Sequence, residues 1–267
     1  MDKTLSRDGT SIAYHRHGDG PPVILVGGAL STAADEGPLA ALLAPRFTVL
    51  TYDRRGRGAS GDGGPWSPRR EIEDLAAVAA AAGGRVSLFG MLSGGALALE
   101  AQAAGLPVDL LAVYQPPYTP GPDGLLYKSR CTALLHRLLA EGDRAGAVEL
   151  YLSQTGIPEE TVARMRRAPL WAGLEAVAHT LAYDDALLGD GSVPAARLAS
   201  VTARTLVMTG GFSTEEARRT SLALAAAVPR ARQRTLTGQT REVAPHAIAP
   251  VLAEFFAREV FAGRAAR

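Results

Sequence analysis

"SLFGMLSGGALALE", residues 87–100, decides the fold. With the two residues before it, "RVSLFG" is short and apolar, as a buried strand is. "SGGALALEAQAAG" continues in small and apolar helix formers until Gly105 stops it. Only Met91 and Leu92 separate the two segments, which leaves no room for a loop. The spacing predicts a strand that turns sharply into a helix, with Leu92 at the tip. A strand that leaves into a helix returns beside itself by a crossover, so this unit calls for parallel neighbours.

The neighbours are present on both sides. "TLSRDGTSIAYHRHG" reads as two strands around the Asp8-Gly9 turn. "PPVILVGG" is a buried strand ending in glycines, residues 34–44 a helix, and "RFTVLTYD" a strand followed by the basic turn "RRGRGASGDGG". "SPRREIEDLAAVAAAAGG" carries Ser67 as a cap, Pro68 in the first turn and glycine past its end. "DLLAVYQPP" is the sixth strand. From 118 to about 200 the rhythm breaks into amphipathic helical stretches such as "LLYKSRCTALLHRLLAEG". It then resumes with "ARTLVMTGG", "STEEARRTSLALAAAVP", "ARQRTLTG" and a closing helix, "VAPHAIAPVLAEFFAREVF". The expected class is α/β: a mostly parallel, doubly wound sheet from 1–117 and 201–267, with a helical cap inserted over 118–200 after the sixth strand.

Composition limits the partners. The chain of 267 residues is 47% hydrophobic and 21% charged, enough apolar material for a sizeable core. A net charge of +1 gives no argument for a nucleic acid or an anionic membrane surface. The runs "DRRGRG" and "RMRR" read as solvated or locally paired charge. No apolar run reaches a membrane span, and "MDKTLSRDGT" has no apolar signal region. The single Cys131 excludes an internal disulfide, fits a cytoplasmic location and reads as a buried small hydrophobe. No His/Cys cluster has metal-ligand spacing, and no cofactor is implied. A small molecule is the expected partner, with a homodimer left open.

In an open parallel sheet, ligands bind beyond the carboxyl ends of the strands. Four turns fall there: "VGGAL", "GMLSGG", "TGGFS" and "TGQTREV". With "YDRRGRGASGD" and the helical insertion after "YQPPY", in this order, the chain resembles the α/β-hydrolase family along nearly its whole length. That family sets a nucleophilic serine at the middle of G-x-S-x-G. Here Gly90 and Gly94 match the two glycines, so the middle position is Leu92. Members with a similar turn read G-H-S-S-G-A. Met91 then stands for the histidine, and Ser93 for the second serine, whose N–H is an oxyanion donor. The related pattern "GQTHDVAP" puts a general base where this chain has Arg241, and an arginine does not accept a proton at neutral pH. The acid position, after either of two strands, holds Phe212 and Ser213 or else Gln115. His246, five residues past Arg241, reads as a surface or helix-packing residue.

The resemblance therefore implies an oxyanion framework without the nucleophile. Gly28, Ala29 and Leu30 lie in the loop that supplies one donor, and Ser93 supplies the other at a helix N-terminus. Met91 and Leu92 would form an apolar floor. Arg241 either binds a carboxylate or enolate or pairs with Glu242 or Asp53. Tyr118, Tyr127, Trp171 and Tyr183 are candidate roof residues. His179, on "LEAVAHTLAY", is a third candidate catalytic group beside Arg241 and Ser93, or else a structural histidine. Asp53 and an arginine would pair to hold the loop after the fourth strand. The expected activity is non-hydrolytic: cyclisation (including pericyclic ring closure), isomerisation or elimination on a largely apolar molecule, in specialised metabolism. The alternatives are a residual serine esterase using Ser93 and a ligand-binding pseudoenzyme.

Overall fold

The computed structural model describes residues 1–119 and 121–262, the last five of these by backbone only. Pro120 and residues 263–267, which the sequence reading assigns to the cap and the core, lie outside the described residues. The chain opens with β1 (Asp2–Leu5), β2 (Ser11–His17) and β3 (Pro22–Val26), then α1 (Gly37–Leu43), β4 (Thr48–Tyr52) and α2 (Pro68–Ala81). The central unit is β5 (Val86–Met91), α3 (Ser93–Ala103) and β6 (Val108–Tyr114). Six helices follow: α4 (Pro122–Ala140), α5 (Arg144–Gln154), α6 (Glu159–Met165), α7 (Leu170–Val177), α8 (Leu181–Leu187) and α9 (Ala195–Leu198), with a 3-10 turn at Ala178–Thr180. β7 (Arg204–Gly210), α10 (Glu215–Ala227), β8 (Ala231–Leu236) and α11 (Pro245–Ala262) complete the chain.

The eight strands form one sheet in the order β1-β2-β4-β3-β5-β6-β7-β8. β1 and β2 run antiparallel to their neighbours, and every pair from β4–β3 to β7–β8 is parallel. Strand periodicity builds two cores, one on each face. Ile24, Val26, Leu88, Leu111 and Val113 pack with α2, α3 and α10 on one side. Val23, Leu25, Phe89, Leu110 and Ala112 pack with α1 and α11 on the other. Apart from Ser93, Glu100 and Gln102, α3 is small and apolar, and it is almost wholly buried, as a helix at the centre of a sheet face must be. Ser67 stands at the start of α2 as the sequence suggests, but its side chain accepts no hydrogen bond there.

The helices between β6 and β7 have an apolar cluster of their own, with Leu135, Val148, Leu152, Trp171 and Leu181. Leu30, from the loop after β3, joins that cluster and pins the layer to the sheet. Burying a leucine contributes about 2 kcal/mol, so one such anchor is modest. No helix among the described residues is long and apolar enough to cross a membrane.

The "DRRGRG" segment differs most from its sequence reading. Arg54, Arg55 and Arg57 are among the most completely buried side chains, not solvated ones. Arg55 is held by Asp74 and Asp8. Arg54 bonds Glu71 at 2.6 Å and Asp184 at 2.7 Å. Arg57 takes the other oxygen of Asp184. Asp53 pairs with none of them: its two oxygens accept the backbone N–H groups of Ala33 and Ala59, at 2.7 and 2.8 Å.

Candidate active site

Leu92 sits at the tip between β5 and α3 with φ +51° and ψ −122°. A leucine in that region stores about 1–3 kcal/mol of strain and stays there only where its surroundings fix it. They do: a Cβ on Gly90 would meet the Gly94 oxygen at 2.5 Å, and one on Gly94 would meet the Val26 oxygen at 2.1 Å. Close contact between α3 and the strands thus forces the turn. Among the described residues, two other non-glycine residues have positive φ, Leu30 at +61° and Gln115 at +46°. The three stand just beyond β3, β5 and β6, which are neighbours in the sheet.

A cavity of about 750 Å³ opens over these strand ends, between the sheet and the helices α4, α5, α8 and α10. Ala29, Leu92, Ser93, Gln115 and Arg241 line its sheet end. Leu135, Leu150 and Leu181 line the helical side, and Tyr127 and Phe212, both largely exposed, are also at its wall. Tyr118 lines it as well, and burial raises its phenol pKa. Cys131 is half-buried at the same wall and is not enclosed in a core as the sequence suggested.

The other candidates lie elsewhere. Gly28 is behind the wall, where a Cβ would meet the Leu92 side chain at 3.3 Å. Leu30 is in the cap cluster, and Met91 packs against the core on the α1/α11 face. Trp171 is buried among the cap helices, with its indole N–H donating to Glu175 at 2.6 Å. Tyr183 turns outward, stacks on Trp66 at 4.7 Å and donates to Asp62. His179 reaches the same carboxylate, with Nε2 3.2 Å from Asp62 Oδ2, and is not among the cavity residues. The turn of helix at 178–183 faces the loop after β4, so these two side chains latch the layer to the core from outside. His246 is exposed on α11. No histidine among the described residues lines the cavity.

Beneath the sheet end, Asp184 of α8 is the hub of a buried charge network. Burial alone would raise its pKa, but the charges of Arg54 and Arg57 override burial and lower it. Arg54 Nη1 donates both to this carboxylate, at 2.7 Å, and to the Ser93 hydroxyl, at 3.5 Å. Arg54 also donates to the Gly27 carbonyl at 3.3 Å, and Arg57 to the Gly28 carbonyl. In a trans peptide, C=O and N–H point in opposite directions. Arg57 on the Gly28 oxygen therefore turns the Ala29 N–H away from the charge network. Neither Ala29 N–H nor Ser93 N–H donates to a protein acceptor among the described residues. Ser93 opens α3, where the helix dipole also favours negative charge. The sheet end thus offers two unspent N–H donors, a leucine floor and a guanidinium.

Sequence reasoning missed Asp184. Its signal was an acidic pair, Asp184-Asp185, inside the apolar stretch "LAYDDALL". A buried charge in such a helix needs a partner, but the sequence does not say which.

The model for the alpha/beta hydrolase family matches residues 17–259. Among solved structures, an alpha/beta hydrolase from Sphaerobacter thermophilus is similar at 52% identity over 96% of this chain and all of that one, with a TM-score of 0.87. A hydrolase from Pseudomonas aeruginosa shares 23% identity over 96% of this chain and 97% of its own, with a TM-score of 0.73. An enol-lactonase from Burkholderia xenovorans shares 19% over 97% and 98%, with a TM-score of 0.62. The last two likenesses extend to the fold alone.

Proposed function

The chain belongs to the alpha/beta hydrolase family, and from that premise we propose that it no longer works by a serine triad. It holds a largely apolar small molecule in a reactive shape and polarises a carbonyl with the Ala29 and Ser93 N–H groups. Ring closure, isomerisation and elimination suit such a site, because shape and fixed donors lower their barriers without a nucleophile. The observation that carries this reading is Leu92, in the strained elbow conformation with a side chain that cannot attack. Arg241, which lines the same cavity, cannot replace a general base.

A displaced-serine hydrolase is the second reading, favoured by the Ser93 hydroxyl, which shares Arg54 Nη1 with the Asp184 carboxylate. Two features weigh against it. Ser93 is buried at 2% exposure, and Asp184, committed to two arginines with a lowered pKa, is a poor proton acceptor. Treatment of the protein and a Ser93→Ala variant with a fluorophosphonate, read by intact mass, separates the two. Turnover of p-nitrophenyl butyrate is measured alongside. We expect no adduct and no turnover from either protein. One adduct and ester hydrolysis in the parent, both lost in Ser93→Ala, would establish the second reading instead.

A further inference from the structure

Among the described residues, one cation at the cavity has nothing to hold. Of its two lining cations, Lys128 is spent: its ammonium is 2.6 Å from Asp185 and 2.8 Å from the Thr132 hydroxyl. Arg241 makes no hydrogen bond or ion pair with any described residue, though it is half-buried. The three buried arginines after β4 each have carboxylate partners, as the cost of burying charge requires.

Its place in the cavity is fixed by its neighbours. The Tyr114 hydroxyl and the Gln115 amide both donate to the Thr240 carbonyl, the peptide that leads into Arg241. The Leu92 N–H donates to the Tyr114 carbonyl at 2.9 Å. Two hydrogen bonds thus tie the Arg241 turn to the elbow, and the strained Gln115 is one of the ties. The Arg241 turn therefore stands at the same end of the cavity as Leu92 and the two N–H donors. Asp123 and Glu216, which pair with none of the described residues, are in the first turns of α4 and α10, where the helix dipoles favour them.

On these grounds we propose that the ligand is an oxo acid: a carbonyl and a carboxylate a few bonds apart on an apolar body. The inference rests on the carbonyl-binding reading above and adds the anion to it. The carboxylate pairs with Arg241 through charge-assisted hydrogen bonds. That anchor places the carbonyl on the Ala29 and Ser93 donors, and the apolar body runs over Leu92 towards Leu135, Leu150 and Leu181. Lys128 does not compete for the carboxylate, because Asp185 neutralises it.

Isothermal titration of the whole protein with 4-oxo-4-phenylbutanoic acid and with its neutral amide tests this, in the parent and in Arg241→Gln. The parent should bind the acid about tenfold tighter than the amide, and added salt should narrow the gap. Arg241→Gln should bind both as the parent binds the amide, and Arg241→Lys should restore part of the preference. Equal binding of acid and amide by the parent, or a preference that survives in Arg241→Gln, overturns the oxo-acid assignment and leaves the carbonyl site standing. If folded parent binds neither compound at millimolar concentration, both readings fail together.

Discussion

A Cβ on Gly94 would press on the carbonyl oxygens of Val26 and Gly27, at 2.1 and 2.5 Å, and both belong to backbone that cannot yield. Gly173, on the exposed side of α7, would meet nothing within 4 Å. The same substitution therefore acts in opposite directions. Gly94→Ala should cost about 3 kcal/mol or more by overpacking, and Gly173→Ala should add about 0.5–1 kcal/mol by restraining the unfolded chain. Urea unfolding of the two variants checks both signs, and a harmless Gly94→Ala would mean that α3 does not set the elbow. These close approaches are why Leu92 could be placed from sequence at all: the glycines that allow them count out the turn. Arg241 and His179 stand on a different footing. Their positions in the chain were plain, but which way a side chain faces depends on helix rotation and on partners far away. His179 consequently stands on Asp62 rather than over the cavity.

Among elements, the strands and helices were legible because each carries its own period and its own stop residues. The ties between them were not. Asp184 of α8 meets Arg54 and Arg57 across 130 and 127 residues, and no local pattern encodes such a pairing. Its consequence reaches the site, since Arg57 holds the Gly28 oxygen and so aims the Ala29 N–H. A cation on that oxygen also withdraws electrons from the peptide and strengthens the N–H as a donor. Arg57→Met should shift the Gly28 carbonyl carbon and the Ala29 amide nitrogen upfield in NMR spectra, and Arg57→Lys should recover part of the shift. A residue that served packing alone would leave those two resonances no more disturbed than their neighbours. Asp184→Asn, which takes the carboxylate from buried Arg57 and one of two from buried Arg54, should destabilise the fold by about 3–5 kcal/mol.

Across the whole molecule, carboxyls with shifted pKa values pull stability in two directions as pH changes. Asp8, hydrogen-bonded by Arg55 and Thr10, and Asp184, facing Arg54 and Arg57, have folded-state pKa values below their ordinary ones. Their contribution is complete above the ordinary carboxylate range and is lost as pH falls through the lowered values. Glu36 behaves in the opposite sense. Burial, and then the charge of Asp35, raises it from 4.5 to about 7. Asp74 is also raised, because its burial outweighs Arg55. For these two, stability is complete below the ordinary value and declines as pH climbs through the raised one. For Glu36 the decline begins near its unfolded value and ends near pH 7, with a size of at most about 3 kcal/mol. The chain should therefore be most stable on the acid side of neutrality, although its net charge there is further from zero. Urea midpoints measured from pH 3 to pH 9 test the shape, and Glu36→Gln tests the cause. That variant should match the parent at and below about pH 4.5, gain on it as pH rises to 7, and keep a constant lead beyond. A lead that stayed the same at every pH would make the benefit one of packing, and the carboxyl beside the Gly27 loop would then be ionised in the folded protein at neutral pH.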